Sequence, residues 1–141
     1  MQLILGGARS GKSRLAEQIA QQLAQPVVYV ATAQALDGEM QVRIQHHQQQ
    51  RPEDWGLCEE PIYLAEQLVK LDRPNQTILV DCLTLWMSNL LMHTDPDLQV
   101  QECQKLLDVV GNLQSELILV SNETGLGVVP IGQISRRFVD E

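Results

Sequence analysis

Eight residues near the start of the chain, Gly6-Gly7-Ala8-Arg9-Ser10-Gly11-Lys12-Ser13, constrain its fold more than any other feature. They match G-x-x-x-x-G-K-[ST], a loop whose backbone N–H groups curl around phosphate oxygens at the start of a helix. The flanks are those such a loop requires. Leu3-Ile4-Leu5 lies directly before it and reads as a strand. After it, Leu15, Ile19 and Leu23 recur every four residues beside Ala16 and Ala20, which predicts an amphipathic helix from about Lys12 to Ala24. Lys12 is expected to reach the β- and γ-phosphates of a nucleotide, and the Ser13 hydroxyl to ligate Mg²⁺. A Gly-rich turn could match the pattern by accident, but an accidental match would not need this strand and this helix.

Beyond the loop, β-branched apolar runs alternate with helical patterns, the signature of a mostly parallel α/β sheet flanked by helices. Pro26 stops the first helix, and Val27–Val30 reads as a second strand ending at Ala31-Thr32. Asp37–Gln50 is polar and Gln-rich, and predicts a lightly anchored, exposed helix; Pro61–Leu71 predicts another. A third strand, Ile78–Val80, ends at Asp81, and helices follow over Leu83–Met92 and Leu98–Leu113. Leu117–Val120 is a fourth strand, ending at Ser121-Asn122-Glu123. Ile131–Glu141 reads as a helix that stops midway. The 141 residues suit a single nucleotide-binding domain, 1–141, with no linker or repeat. Four strands are few for this class, so a final helix and strand are expected to be lacking.

Eighteen acidic against ten basic side chains leave a net charge of −8, which excludes a generic nucleic-acid surface. Phosphate must therefore be held by a local site. No apolar run approaches the ~18 residues of a membrane span, and Met1–Leu5 is too short for a signal-peptide core. Cys58, Cys82 and Cys103 are odd in number and show no C-x-x-C spacing, so they are expected to be structural thiols in a reduced, cytoplasmic protein. Aromatics are 4% of the chain, which leaves Leu, Val, Ile and Ala to build the core.

Asp81 closes an apolar strand, where phosphate-loop proteins keep a second magnesium-organising carboxylate. An N-cap for the helix beginning near Leu83 is the competing role. Glu123 follows the fourth strand in the same way, and a solvated loop carboxylate suits it equally. The guanine-reading Asn-Lys-x-Asp of regulatory GTPases is absent, and Asp108-Val109-Val110-Gly111 matches D-x-x-G only inside a helical stretch. A switch-type GTPase is disfavoured.

Arg43 and Arg51 flank a histidine pair, His46-His47, on the exposed segment. Adjacent histidines on a helix point apart, and surface decoration is the bland explanation. A neutral imidazole is nevertheless a competent nucleophile toward phosphorus, and flanking cations suit an anion. Gly-Gly-Ala-Arg-Ser-Gly-Lys-Ser-Arg at 6–14, Ala31-Thr32-Ala33, Arg-Ile-x-x-His-x-x-x-Arg-Pro-x-x-Trp at 43–55 and Ser-Asn-Glu-Thr-Gly-Leu-Gly-Val-Val-Pro at 121–130 resemble, in order and spacing, one family. It is the bifunctional adenosylcobinamide kinase/adenosylcobinamide-phosphate guanylyltransferase family of cobalamin biosynthesis.

The resemblance implies a RecA-like P-loop fold, commonly assembled as a homotrimer, and two reactions. A nucleoside triphosphate, ATP or GTP, phosphorylates adenosylcobinamide. GTP then guanylylates a histidine, which passes GMP to adenosylcobinamide phosphate to give adenosylcobinamide-GDP. His47 takes the motif's histidine position, with His46 one residue off the pattern. Residues Gly6, Gly7, Ala8, Arg9, Ser10, Gly11, Lys12 and Ser13, then Ala31, Thr32, Ala33, Gln48, Gln49, Gln50, Arg51, Glu59 and Asp81, match positions that contact GTP in the family. Ser13 and Asp81 are the implied Mg²⁺ ligands, and Lys12 and His47 the catalytic pair. The partners are then a corrinoid and nucleotides, with no nucleic acid and no membrane span. Apolar helix faces such as Leu83–Met92 would gain by burial against a neighbouring copy. The competing readings are a simple small-molecule or nucleotide kinase without a covalent intermediate, and a non-catalytic nucleotide-responsive module.

Overall fold

Strands buried on both faces read as continuous apolar runs, and here they assemble into an all-parallel sheet. The computed structural model describes residues 2–6, 12–33 and 54–122. Its strands are β1 (Gln2–Gly6), β2 (Val27–Ala31), β3 (Gly56–Glu59), β4 (Thr77–Asp81) and β5 (Glu116–Asn122). They lie in the order β1-β5-β4-β2-β3, and every pairing is parallel. The described helices are α1 (Lys12–Gln22), α2 (Leu64–Leu71), α3 (Leu83–Leu91) and α4 (Leu98–Val110). This is the α/β phosphate-loop architecture expected from the sequence, with one strand more than the four that periodicity reveals.

The extra strand is β3. Its residues Gly-Leu-Cys-Glu are mostly exposed, and among the described residues it pairs with β2 alone, so it carries no continuous apolar signal. The helix expected from Pro61 begins instead at Leu64. Glu60 explains the delay: its Oε2 accepts from the backbone N–H of Ile62 (3.1 Å) and of Tyr63 (3.0 Å), which holds 60–63 as a turn.

Alternation along the strands divides the core between two faces. Tyr29, Ala31, Leu79, Ile118 and Val120 pack with Ala16 and Ala20 of α1. Both alanines are fully buried while Leu15 is 48% exposed, so α1 is turned to seat its small residues on the sheet, with Ile19 and Leu23 flanking. On the other face Val30, Ile78, Val80, Leu117 and Leu119 pack beneath α2, α3 and α4. Trp86 of α3 is the bulkiest fully buried side chain among the described residues, so this aromatic-poor sequence still centres a core on one indole. Its Nε1 donates to the Ile62 carbonyl at 2.8 Å. Leu83, Trp86, Met87 and Leu90 are all about 1% exposed, leaving Leu85 half-buried and Leu91 and Met92 exposed on that segment. The apolar face of 83–92 is therefore buried within the chain, contrary to the expectation that it awaits a second copy.

At the amino ends of the strands a polar knot ties the α2–β4 and α4–β5 connections together. Asp72 accepts from Gln114 N (3.0 and 2.9 Å to its two oxygens) and from Ser115 N (2.8 Å). Ser115 Oγ accepts from Arg73 N and from Gln76 Nε2, and donates to the Arg73 carbonyl. Burial alone would raise the Asp72 carboxyl, but the bonds from Gln114, Ser115 and Arg73 together hold it below its ordinary value.

Candidate functional site

Because all five strands are parallel, their carboxyl ends share one sheet edge, where ligands of such folds bind. Strand register fixes what stands there. Ala31 is level with Asp81 on one side and with Glu59 on the other, and Asp81 is level with Val120. Level residues of paired strands project from the same face, and here that face carries α1. Glu59, Ala31, Asp81 and Val120 thus form a row on the face of the sheet that carries α1, with the small Ala31 between two carboxylates. At a strand spacing of ~4.8 Å, the Cα atoms of Glu59 and Asp81 stand ~10 Å apart. Gly6 ends β1 level with Asn122, two residues beyond that row. Lys12 and Ser13 open α1, whose N-terminal N–H groups and partial positive charge suit an anion.

Asp81 has a defined role in this geometry, and it is not the N-cap. Cys82 caps α3, its Sγ accepting from Leu85 N at 3.4 Å. Asp81 Oδ2 instead accepts from the hydroxyl of Tyr29 at 2.6 Å. Tyr29 is 5% exposed and lies two residues before Ala31 on β2, so it reaches Asp81 diagonally on the same face. The peptide bond between Asp81 and Cys82 is cis.

Thr32 is fully buried and each of its polar groups is engaged. Its N–H donates to the Asp81 carbonyl, its hydroxyl donates to the Cys82 carbonyl (2.7 Å) and accepts from Cys82 N (2.9 Å), and its carbonyl accepts from Asn89 Nδ2 (2.8 Å). The end of β2 is thereby fastened to the end of β4 and to α3. Ala31 O accepts from Glu60 N at 2.9 Å, which fastens it to β3 as well. Glu60 serves the turn before α2, whereas Glu59 is exposed at the sheet edge.

The donor chemistry fits Mg²⁺. Asp81 offers a hard carboxylate oxygen at the carboxyl end of β4, and Ser13 stands in the first turn of α1. Among the described residues no three His, Cys, Asp or Glu side chains gather into a metal cage. A cation here would complete its shell with phosphate oxygens and water, the usual arrangement for Mg²⁺. Two of the three thiols have raised pKa values: burial pushes Cys58 up, aided by Glu60 and Glu59, and burial with the Glu102 charge pushes Cys103 up to about 11.

The structure thus brings Gly6, Lys12, Ser13, Ala31, Thr32, Ala33, Glu59 and Asp81 to one edge. Gly7, Ala8, Arg9, Ser10, Gly11, His46, His47, Gln48, Gln49, Gln50, Arg51 and Glu123, the segment 37–50 and the stretch after 122 lie outside the described residues. Sequence reasoning missed Tyr29 and Asn89. Tyr29 has a signal: a lone aromatic in an aliphatic strand, in phase with the small residue at the strand's end. Asn89 has a weaker one, an amide within the apolar run 83–92.

Comparison with known proteins agrees with the geometry. Residues 2–141 match the family described as cobinamide kinase / cobinamide phosphate guanyltransferase. The chain is 55% identical over 139 residues to the bifunctional adenosylcobalamin biosynthesis protein CobP of Pseudomonas aeruginosa, covering 99% of this chain and 80% of that protein. It is 40% identical to the bifunctional adenosylcobalamin biosynthesis protein CobU of Escherichia coli and 38% to that of Salmonella typhimurium. Each of those matches covers 99% of this chain and 84% of the relative.

Proposed function

Since the chain belongs to the cobinamide kinase / cobinamide phosphate guanyltransferase family, we propose that it carries out both reactions at the sheet edge just described. It phosphorylates adenosylcobinamide with ATP or GTP, and it transfers GMP from GTP to adenosylcobinamide phosphate through a guanylylated histidine. What supports this reading is the pair of carboxylates, Asp81 and Glu59, on the sheet face that carries α1, in a chain 55% identical to a bifunctional relative.

In the kinase step the substrate hydroxyl oxygen forms a bond to the γ-phosphorus as the bond to the β-phosphate oxygen breaks, the nucleoside diphosphate leaves and the hydroxyl proton passes to water. Lys12, at the start of α1, neutralises charge on the transferring group, and the α1 N-terminus holds the phosphates. In the second reaction a His47 ring nitrogen bonds to the α-phosphorus and pyrophosphate leaves. A phosphate oxygen of adenosylcobinamide phosphate then displaces the imidazole, releasing adenosylcobinamide-GDP. Two displacements replace one difficult transfer. Ser13 and Asp81 would hold Mg²⁺, which supplies charge neutralisation at the phosphates when bound. Tyr29 orients Asp81, and Glu59 faces the nucleotide from the opposite end of the row.

GTP labelled at the α-phosphate tests the reading. Denatured protein should retain label that is acid-labile and base-stable, as a phosphoramidate is. His47→Ala should abolish that label and preserve phosphorylation of adenosylcobinamide at least in part, while His46→Ala should keep it. Absence of label in the unsubstituted protein would leave the simple kinase. A kinase without the covalent step, or a module without turnover, has no observation of its own in its favour. Assembly as a homotrimer in the cytoplasm is part of the same proposal and follows the family resemblance.

A further inference from the structure

The side chain of Asn89 lies in α3, is 8% exposed, and takes no direct part in the chemistry above. Its Nδ2 donates twice, to the Thr32 carbonyl at 2.8 Å and to the Pro61 carbonyl at 3.1 Å. These acceptors belong to different segments. Thr32 follows β2 in the stretch proposed for nucleotide contact, and Pro61 lies in the 60–63 turn that follows Glu59 of β3. One turn earlier on the same helix, Trp86 Nε1 donates to the Ile62 carbonyl. One face of α3 therefore grips both segments, and the Asn89 amide bridges them.

We infer that Asn89 is a positioning residue: beyond the last β2–β3 pairing, its amide holds the Thr32–Ala33 end of the nucleotide-contacting segment against the Pro61 turn that follows Glu59, and so sets the shape of the nucleotide pocket's wall. The reasoning is one of donors and acceptors. The buried Thr32 carbonyl and the part-buried Pro61 carbonyl come from separate segments and both need a donor, and a single NH₂ group supplies both hydrogens. It must lie between them, so it fixes their distance, which two separate donors would not do. If the two segments drift apart, the buried Thr32 carbonyl or the part-buried Pro61 carbonyl loses its partner. The inference rests on the nucleotide site proposed above.

Asn89→Asp and Asn89→Ala provide the test, with Lys12→Ala as the control for the site itself. Asp keeps the shape of Asn but aims acceptors at two carbonyl oxygens, whereas Ala deletes shape and donor together. Equilibrium binding of GTP, and KM and kcat for α-phosphate labelling, are measured on variants whose circular dichroism matches that of the unsubstituted protein. Positioning by donation predicts that Asn89→Asp weakens GTP binding and raises KM about tenfold, with kcat within about twofold, and that Asn89→Ala has the milder effect. The reverse order, Ala worse than Asp, or a loss confined to thermal stability with KM unchanged, would overturn the inference and assign Asn89 to packing. Should Asn89→Asp fail to fold, Asn89→Ala carries the test through the same KM-against-kcat split. Lys12→Ala leaving GTP affinity intact would refute the nucleotide site instead, whereas weak binding by Lys12→Ala beside normal binding by both Asn89 variants would refute this inference alone.

Discussion

Replacing Tyr29 by Phe removes one oxygen from the site and leaves the shape of the core unchanged. The bond it deletes is short, 2.6 Å to Asp81 Oδ2, and is made by a side chain 5% exposed. Hydrogen bonds to ionised groups contribute ~1.5–3 kcal/mol, but Asp81 at the sheet edge can recover part of that from water. A net loss of ~1–2 kcal/mol is expected, a downward shift in Tm of about 3–8 °C for a chain of this size. The functional consequence is distinct from the stability loss. A carboxylate that orients a cation loses about 10- to 100-fold in metal affinity or activity when its supporting partner is removed. Initial rates of GMP labelling, measured against Mg²⁺ concentration at saturating GTP, should show half-saturation moved upward by about tenfold, equivalent to ~1.4 kcal/mol. The maximal rate should return at high Mg²⁺. A lowered Tm with unchanged Mg²⁺ dependence would show that the Tyr29–Asp81 bond is structural and has no part in holding the cation.

Asp72→Ala is expected to lower stability at neutral pH by about 1–3 kcal/mol, because the N–H of buried Ser115 loses its acceptor. Since the fold holds the Asp72 carboxyl below its ordinary 3.8, the stabilisation is complete above that value and is lost as pH falls through the folded one. Urea unfolding at about pH 7, 5 and 3 should give equal differences from the unsubstituted protein at the first two and a smaller one at the third; a difference that grew with acid would refute the assignment. Light scattering should return the mass of three chains, and the mass of one chain at every concentration would count against the homotrimer.

What is legible in the sequence follows burial. Val27–Val30, Ile78–Val80 and Leu117–Val120 are covered on both faces, so each announces itself as an apolar run within a residue or two of its true limits. β3 escapes because an exposed edge strand needs no such pattern, and its place comes from pairing with β2. The face of α1 differs by one residue from the leucine pattern. Periodicity marks Leu15, but close approach to a sheet favours Ala16 and Ala20. Asp81 is legible at the end of its strand, and its choice between cap and ligand is decided by Cys82 taking the cap. Glu59 is visible only through family resemblance, since its meaning lies in a row spanning four strands. Tyr29 and Asn89 act across more than fifty residues of chain, through hydrogen bonds that no local pattern encodes.

The sheet order has a consequence for how the protein comes into being. Among the described residues β1 pairs with β5 alone, Gln2 to Ile118 through Gly6 to Asn122. A strand translated more than a hundred residues before β5 therefore joins the sheet beside the described strand that is made last. Until residues 116–122 are available, the phosphate-loop strand lacks that partner and α1 has only part of its seat, since Ile118 and Val120 belong to the surface on which Ala16 and Ala20 rest. Closing so distant a pairing is slow. A nascent or truncated chain ending before β5 should accordingly build β2, β4 and the helices between them yet bind no nucleotide. Competence for GTP then appears late and all at once, and nucleotide present at that moment stabilises the completed sheet by mass action.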